Sequence, residues 1–160
     1  MSIANNLPSL RAVRPEDEPF LYHLFSLVKL EELGIGHWDA AQREQLLRIQ
    51  YNAHQLHHHS SDDCIVALGE QAIGRLIVQR AASAIQLSDI TLLPEFRNQG
   101  IGARLIRALQ EESRQFNRPL QLHVFKTNPV VDLYRRLGFR LVSSSDAQHF
   151  MEWKASAKED

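Results

Sequence analysis

The sequence predicts one α/β domain built on a mixed sheet, and three observations carry that expectation. β-like and helical runs alternate along the chain in the order β-α-α-β-β-β-α-β-α-β-β, with no block of either kind set apart. The stretch Ile85–Arg107, IQLSDITLLPEFRNQGIGARLIR, is a β pattern that breaks at Pro94, turns, and reopens as a helix at Gly100-Ile101-Gly102. The chain has 160 residues, 44% apolar and 23% charged, with no repeat and no low-complexity linker. That suits a single domain with its own core, structured from Leu10 to Lys154.

Ser9–Val13 is a short candidate strand. Pro15-Glu16-Asp17-Glu18 places proline and acids where a first helical turn favours both. That helix continues through Leu21, Leu24, Phe25, Val28 and Leu30 and stops near Gly34-Ile35-Gly36. Asp39 reads as the N-cap of a second helix reaching Gln55, with Leu46, Leu47 and Ile49 on one side. The run from His57 to Asp63 is expected to be a polar loop. Cys64–Leu68 and Ala72–Val78, split by Gly69-Glu70-Gln71, give a hairpin signal. The central strand Ala84–Leu93 follows, then a helix Gly100–Phe116 with Ile101, Leu105, Ile106 and Leu109 at helical spacing. Leu120–Phe125 is a strand, and a short helix runs from Asn128-Pro129 to Leu137, with Gly138 suited to close it. Phe139–Val142 and His149–Lys154 are the last strands.

A net charge of -1 gives no general attraction for nucleic acid or a membrane, so any anion site must be local. The one cysteine, Cys64, permits no internal disulfide, which fits a cytoplasmic protein. The start MSIANNLPSLR lacks the basic and apolar regions of a signal peptide, and no apolar run is long enough to span a bilayer. His54, His57, His58 and His59 are not spaced as His-Glu-x-x-His, and no carboxylate or thiol pattern completes a site, so no metal is expected.

A strand that feeds a glycine-rich turn and then a helix is a device for holding a phosphate. Free N–H groups of the first turn point outward, and the macrodipole adds partial positive charge. Gly100 and Gly102 let an anion come close to the backbone; the plainer alternative is a tight corner in which glycines only permit packing. A nucleoside-triphosphate loop would need Gly-Lys-Ser/Thr, but Gly102 is followed by Ala103-Arg104. A dinucleotide fingerprint would need a small residue where Leu105 stands.

Leu92-Leu93-Pro94-Glu95-Phe96-Arg97-Asn98-Gln99-Gly100-Ile101-Gly102 resembles the Arg/Gln-x-x-Gly-x-Gly/Ala signature of the GCN5-related N-acetyltransferases. Asn128-Pro129-Val130-Val131-Asp132-Leu133-Tyr134-Arg135-Arg136-Leu137-Gly138-Phe139 resembles that family's downstream Asn…Leu-Tyr-x-x-x-Gly-Phe segment. Phe150-Met151-Glu152-Trp153 looks like its closing strand, and the resemblance spans Leu10 to Lys154. It implies a mixed, mostly antiparallel sheet flanked by helices, acetyl-CoA as co-substrate, an amine acceptor and, since family members often dimerise, a homodimer.

The resemblance further implies that backbone amides from Asn98 to Ala103, with Gln99, Gly100, Ile101 and Gly102 central, cradle the pyrophosphate, Arg97 and Arg104 adding charge. The central strand and Leu120–Phe125 should splay apart, so that the backbone of Ile90 and Leu92 pairs with the pantetheine arm. Tyr134 takes the place of the general acid to the departing thiolate, or is a helix tyrosine that simply packs. Asn128 matches a cofactor-contacting asparagine and also suits an N-cap. His123 is the first candidate base and Asp89 the second; each has a structural alternative. Trp38, Glu31 and Glu32 lie where the acceptor side forms, or are a packed tryptophan and a solvated helix end. Two further readings stay open: a non-catalytic acyl-CoA-binding sensor on the same fold, and transfer to a peptide or protein α-amine.

Overall fold

The structure, a computed structural model, describes residues 7–58 and 62–156. Seven strands, β1 (Ser9–Ala12), β2 (Asp62–Leu68), β3 (Gln71–Arg80), β4 (Ile85–Leu92), β5 (Leu120–Phe125), β6 (Arg140–Ser144) and β7 (Gln148–Trp153), form one sheet in the order β1-β2-β3-β4-β5-β7-β6. The helices are α1 (Glu18–Leu33), α2 (Ala40–His57), α3 (Ile101–Phe116) and α4 (Val130–Arg136). The element order is the one expected, with 3-10 turns added at Pro15–Asp17 and Pro94–Phe96. No helix among the described residues is long and apolar enough to cross a membrane. The chain divides into two compact units, residues 1–76 with 91–96 and residues 77–90 with 97–160.

In the first unit β1 runs antiparallel to β2, from Ser9 against Ala67 to Ala12 against Cys64. The turn after β1 is tied down by Asp17. Its carboxylate accepts hydrogen bonds from Arg11 Nη1 at 2.8 Å, Arg11 Nη2 at 2.7 Å and the Arg14 N–H at 2.8 Å. The Arg11 hydrogen bond is the main reason its carboxyl is held down at about 2. α1 closes at Gly34, whose φ of 62° is cheap only without a Cβ. One cluster of the unit's core is Leu21, Tyr51 and Ile65, with Val13, Phe20, Tyr22, Phe25 and Ala72 packed around them.

α2 departs from expectation in two ways. Leu47 is buried with Tyr51 one turn on, whereas Ile49 is 60% exposed and Leu46 half-buried. At about 100° per residue, Leu47 and Ile49 stand about 160° apart, so the three cannot share a face. The helix also continues to His57 where a loop was expected. The reason is that His54 and His58 extend the buried stripe, their rings 4.5 Å apart and His54 5.4 Å from Phe25. Burial, helped by His58, Arg75 and Lys29, pushes His54 down to about 4. His59 lies outside the described residues, and among those described no group is placed to hold a metal.

In the second unit β4 and β5 are parallel over Ile85–Leu87 against Leu120–Leu122. β5 pairs antiparallel with β7 over its whole length, and β6 with β7 through a bulge between Leu141 and Ser143. Ile85, Leu87, Leu120, Leu122, Val124 and Met151 are buried, as are Ile101, Leu105, Ile106 and Leu109 of α3, which packs on β5. Each such side chain contributes about 1.5–3 kcal/mol by leaving water. α3 stops at Asn117, φ 52°, where the Ser113 hydroxyl donates to the Arg118 carbonyl. Gln110 donates to the Leu137 carbonyl at 2.8 Å and so ties α3 to the end of α4.

Candidate active site

The turn between β4 and α3 is built by backbone conformation. Asn98 (φ 61°) and Gly100 (φ 83°) are left-handed, while Gln99 between them is not. Alternation of this kind turns successive N–H groups toward one concavity, which suits an anion. α3 opens without a side-chain cap and without an acid in its first turn. Its first backbone bond runs from the Arg104 N–H to the Gly100 carbonyl at 3.0 Å, so the N–H groups of Ile101, Gly102 and Ala103 have no partner within the helix. A Cβ added at Gly100 would meet nothing within 4 Å, and one at Gly102 only Leu133 Cδ2 at 4.0 Å. Tight packing therefore does not demand these glycines, and a Cβ would intrude on the cradle itself. Arg97 is half-buried and Arg104 exposed.

Gly74 on β3, which the sequence alone did not single out, is the opposite case. A Cβ there would collide with the Thr91 carbonyl oxygen and stand 2.7 Å from Leu92 Cδ2. The last residues of β4 thus lie against bare backbone, in the first unit. An isolated glycine inside a strand pattern was the available signal.

In the second unit the register between β4 and β5 ends at Leu87 against Leu122, yet β4 runs on past Ile90 and β5 to Phe125. Ile90 sits in this overrun. Alternation then sorts the candidate residues. Along β5, Leu120, Leu122 and Val124 are buried while Gln121 is half-buried and His123 and Phe125 are exposed. Asp89 shares the face of Leu87, which pairs with Leu122, so Asp89 and His123 belong to opposite faces of the sheet. Sequence parity alone could not say which face was covered. His123 is not a buried histidine; its ring lies 4.9 Å from Phe150 at 31°.

Tyr134 is buried on α4, 5% exposed, with its ring 5.5 Å from Phe139. The Leu137 and Phe139 N–H groups both donate to its carbonyl, and Gly138 at φ 93° allows the chain to double back. Burial first, and then the charge of Asp89, raise the pKa of its phenol above the usual 10. Tyr134 is thus a protonated group electrostatically coupled to Asp89. Asn128 is exposed, and its Oδ1 accepts from the Val130 N–H at 3.0 Å, which is a capping contact.

The expected acceptor-side residues lie in the first unit. Trp38, 40% exposed, lines a shallow hollow of about 470 Å³ with Gln42, Gln45, Leu46 and Ile49. Glu31 and Glu32 do not line it, and Glu32 accepts from Lys29 at 2.9 Å.

A family model described as an acetyltransferase (GNAT) domain matches residues 60–141. Among solved structures, the PaiA N-acetyltransferase of Thermoplasma acidophilum in complex with coenzyme A superposes with a TM-score of 0.73 at 19% identity, covering 97% of this chain and 100% of its own. An acetyltransferase from Thermus thermophilus gives 0.69 at 20% identity over 93% and 97%. The ribosomal-protein-S18-alanine N-acetyltransferase of Escherichia coli gives 0.62 at 17% identity over 96% and 97%. Likeness at these identities shows the fold. No curated protein sequence matches the chain.

Proposed function

Because the chain belongs to the GNAT acetyltransferases, we propose that it moves the acetyl group of acetyl-CoA directly to a primary amine. The observation that carries this is the start of α3, uncapped, free of acids and open in front of Gly100 and Gly102. An anionic pyrophosphate fits it, and a coenzyme A complex among the fold's solved examples supports that choice. The amides of Asn98 to Ala103 bind the phosphates, with Arg97 and Arg104 supplying charge that the chain as a whole lacks. The backbone of Ile90 and Leu92 pairs with the amides of the pantetheine arm. Asn128 keeps its capping bond and contacts the arm through what remains of its amide.

Acetyl-CoA supplies a thioester, whose carbonyl carbon takes the amine and whose sulfur leaves. Tyr134 meets the negative charge that grows on that sulfur. A thiol has a pKa of about 8.5 and this phenol one above 10, so a complete proton transfer runs uphill. The hydroxyl therefore contributes chiefly as a hydrogen-bond donor while charge develops. Burial first, and then the charge of Asp89, keep the phenol protonated. The attacking amine must lose a proton, and His123, on the opposite face of the sheet, takes it directly or through a water.

Calorimetric titration with acetyl-CoA tests the first half of this reading; absence of binding at high micromolar concentration, with the protein folded, would sink it. A thiol-release screen over amines, amino acids and short peptides tests the second half. Binding without turnover on any acceptor would make the chain an acyl-CoA sensor instead.

A further inference from the structure

We infer that the acceptor is a monoamine carried on a flat apolar group, seated on an aromatic shelf made by His123, Phe150 and Phe125. This rests on the transferase reading above. β5 and β7 pair with His123 against Phe150, Phe125 against Gln148 and Gln121 against Glu152. Side chains of directly paired residues share a face, so these six stand on the face opposite Leu122, Val124 and Met151. That face is open in the second unit: His123 is exposed and Phe125 is 49% exposed. The His123 and Phe150 rings, 4.9 Å apart and tilted by 31°, stand side by side on that face and offer aromatic contact to a ring. The shelf begins where β5 has run past its last pairing with β4, at the candidate base.

Charge on the shelf selects the kind of amine. Its one carboxylate, Glu152, already accepts from Gln121 Nε2 at 2.7 Å and lies 3.4 Å from Lys154 Nζ. Arg140 is its register partner on β6. A linear polycation meets more positive charge than negative there. A single amine with a ring gains ring contact and leaves only its reacting nitrogen to be placed.

The test is calorimetric titration of the protein, with and without CoA, using 2-phenylethylamine, hexylamine and spermidine, beside thiol-release kinetics with the same amines and acetyl-CoA. The expected result is binding of 2-phenylethylamine about tenfold tighter than hexylamine, with spermidine weakest. Phe150→Leu, which keeps apolar bulk, and Phe125→Ala should each bring the kcat/KM ratio of the two monoamines toward one while acetyl-CoA affinity holds. Equal binding of the monoamines, or spermidine binding best, overturns the inference. Ring-dependent binding without turnover leaves the shelf a ring-amine site but overturns its acceptor role together with the transferase reading. Turnover without ring preference overturns the inference and leaves the transferase reading standing.

Discussion

Gly102 carries two effects of opposite sign. A glycine inside a helix costs about 0.5–1 kcal/mol relative to alanine, and here no packing demands one. Gly102→Ala is therefore expected to raise the melting temperature slightly while weakening acetyl-CoA binding about tenfold; thermal scans and calorimetry on one preparation check both. Gly100 differs, because its φ of 83° makes any Cβ strained by about 1–2 kcal/mol. Tyr134→Phe should lower kcat by about 10² with acetyl-CoA affinity unchanged. Since burial and Asp89 raise its pKa, activity should show no loss of the acid form up to pH 10, and Asp89→Asn should move that limit down. The glycines stood out in the sequence as a turn that opens a helix, and Tyr134 stood out as a candidate only through the resemblance of its segment to the family's. The orientation of His123 was not, because alternation gives two faces without saying which one is covered.

At the level of elements, strands and helices fall where periodicity put them, with β5 matching its expected span and α3 starting one residue late. The misreadings are physical. Leu46, Leu47 and Ile49 were assigned one side of α2, but helical geometry sends Leu47 to the core and Ile49 to solvent. The run from His57 looked polar, yet His58, partly buried, packs on the ring of His54 one turn before it. Gly74 carried a signal, a glycine inside a strand pattern, but not the identity of what approaches it, because the Thr91–Leu92 backbone is distant in sequence. Gly74→Ala should cost about 1–3 kcal/mol by overpacking. Because it displaces the end of β4 at Leu92, it should also weaken acetyl-CoA binding. Urea unfolding and calorimetry measure the two losses, and a variant stable and tight as the parent would refute the close approach.

For the molecule as a whole, three described groups set the response to acid: His54, His58 beside it, whose pKa burial also lowers, and Asp17. His54 titrates at about 4 in the folded chain and near 6.5 unfolded, so the unfolded chain binds more protons between those values. Stability is thus full above pH 6.5 and falls as pH drops toward 4. Asp17, held at about 2 by Arg11, adds stability that is full above pH 4 and lost between 4 and 2. Urea midpoints at pH 7, 5.5 and 4 should fall in that order, and His54→Gln should flatten the first interval. Composition said none of this, since it counts eight histidines without saying which is buried. It did read one global property: with a net charge of -1, affinity for an anion had to come from a local arrangement of amides.

The early parting of β4 from β5 also bears on the order of events. On the proposed reading, with Asp89 and His123 on opposite faces of the sheet and Tyr134 under the influence of Asp89, donor and acceptor would reach the thioester from separate sides. Neither product has to leave before the other substrate enters. Initial-rate plots should then intersect instead of running parallel, and CoA should compete with acetyl-CoA but not with the amine.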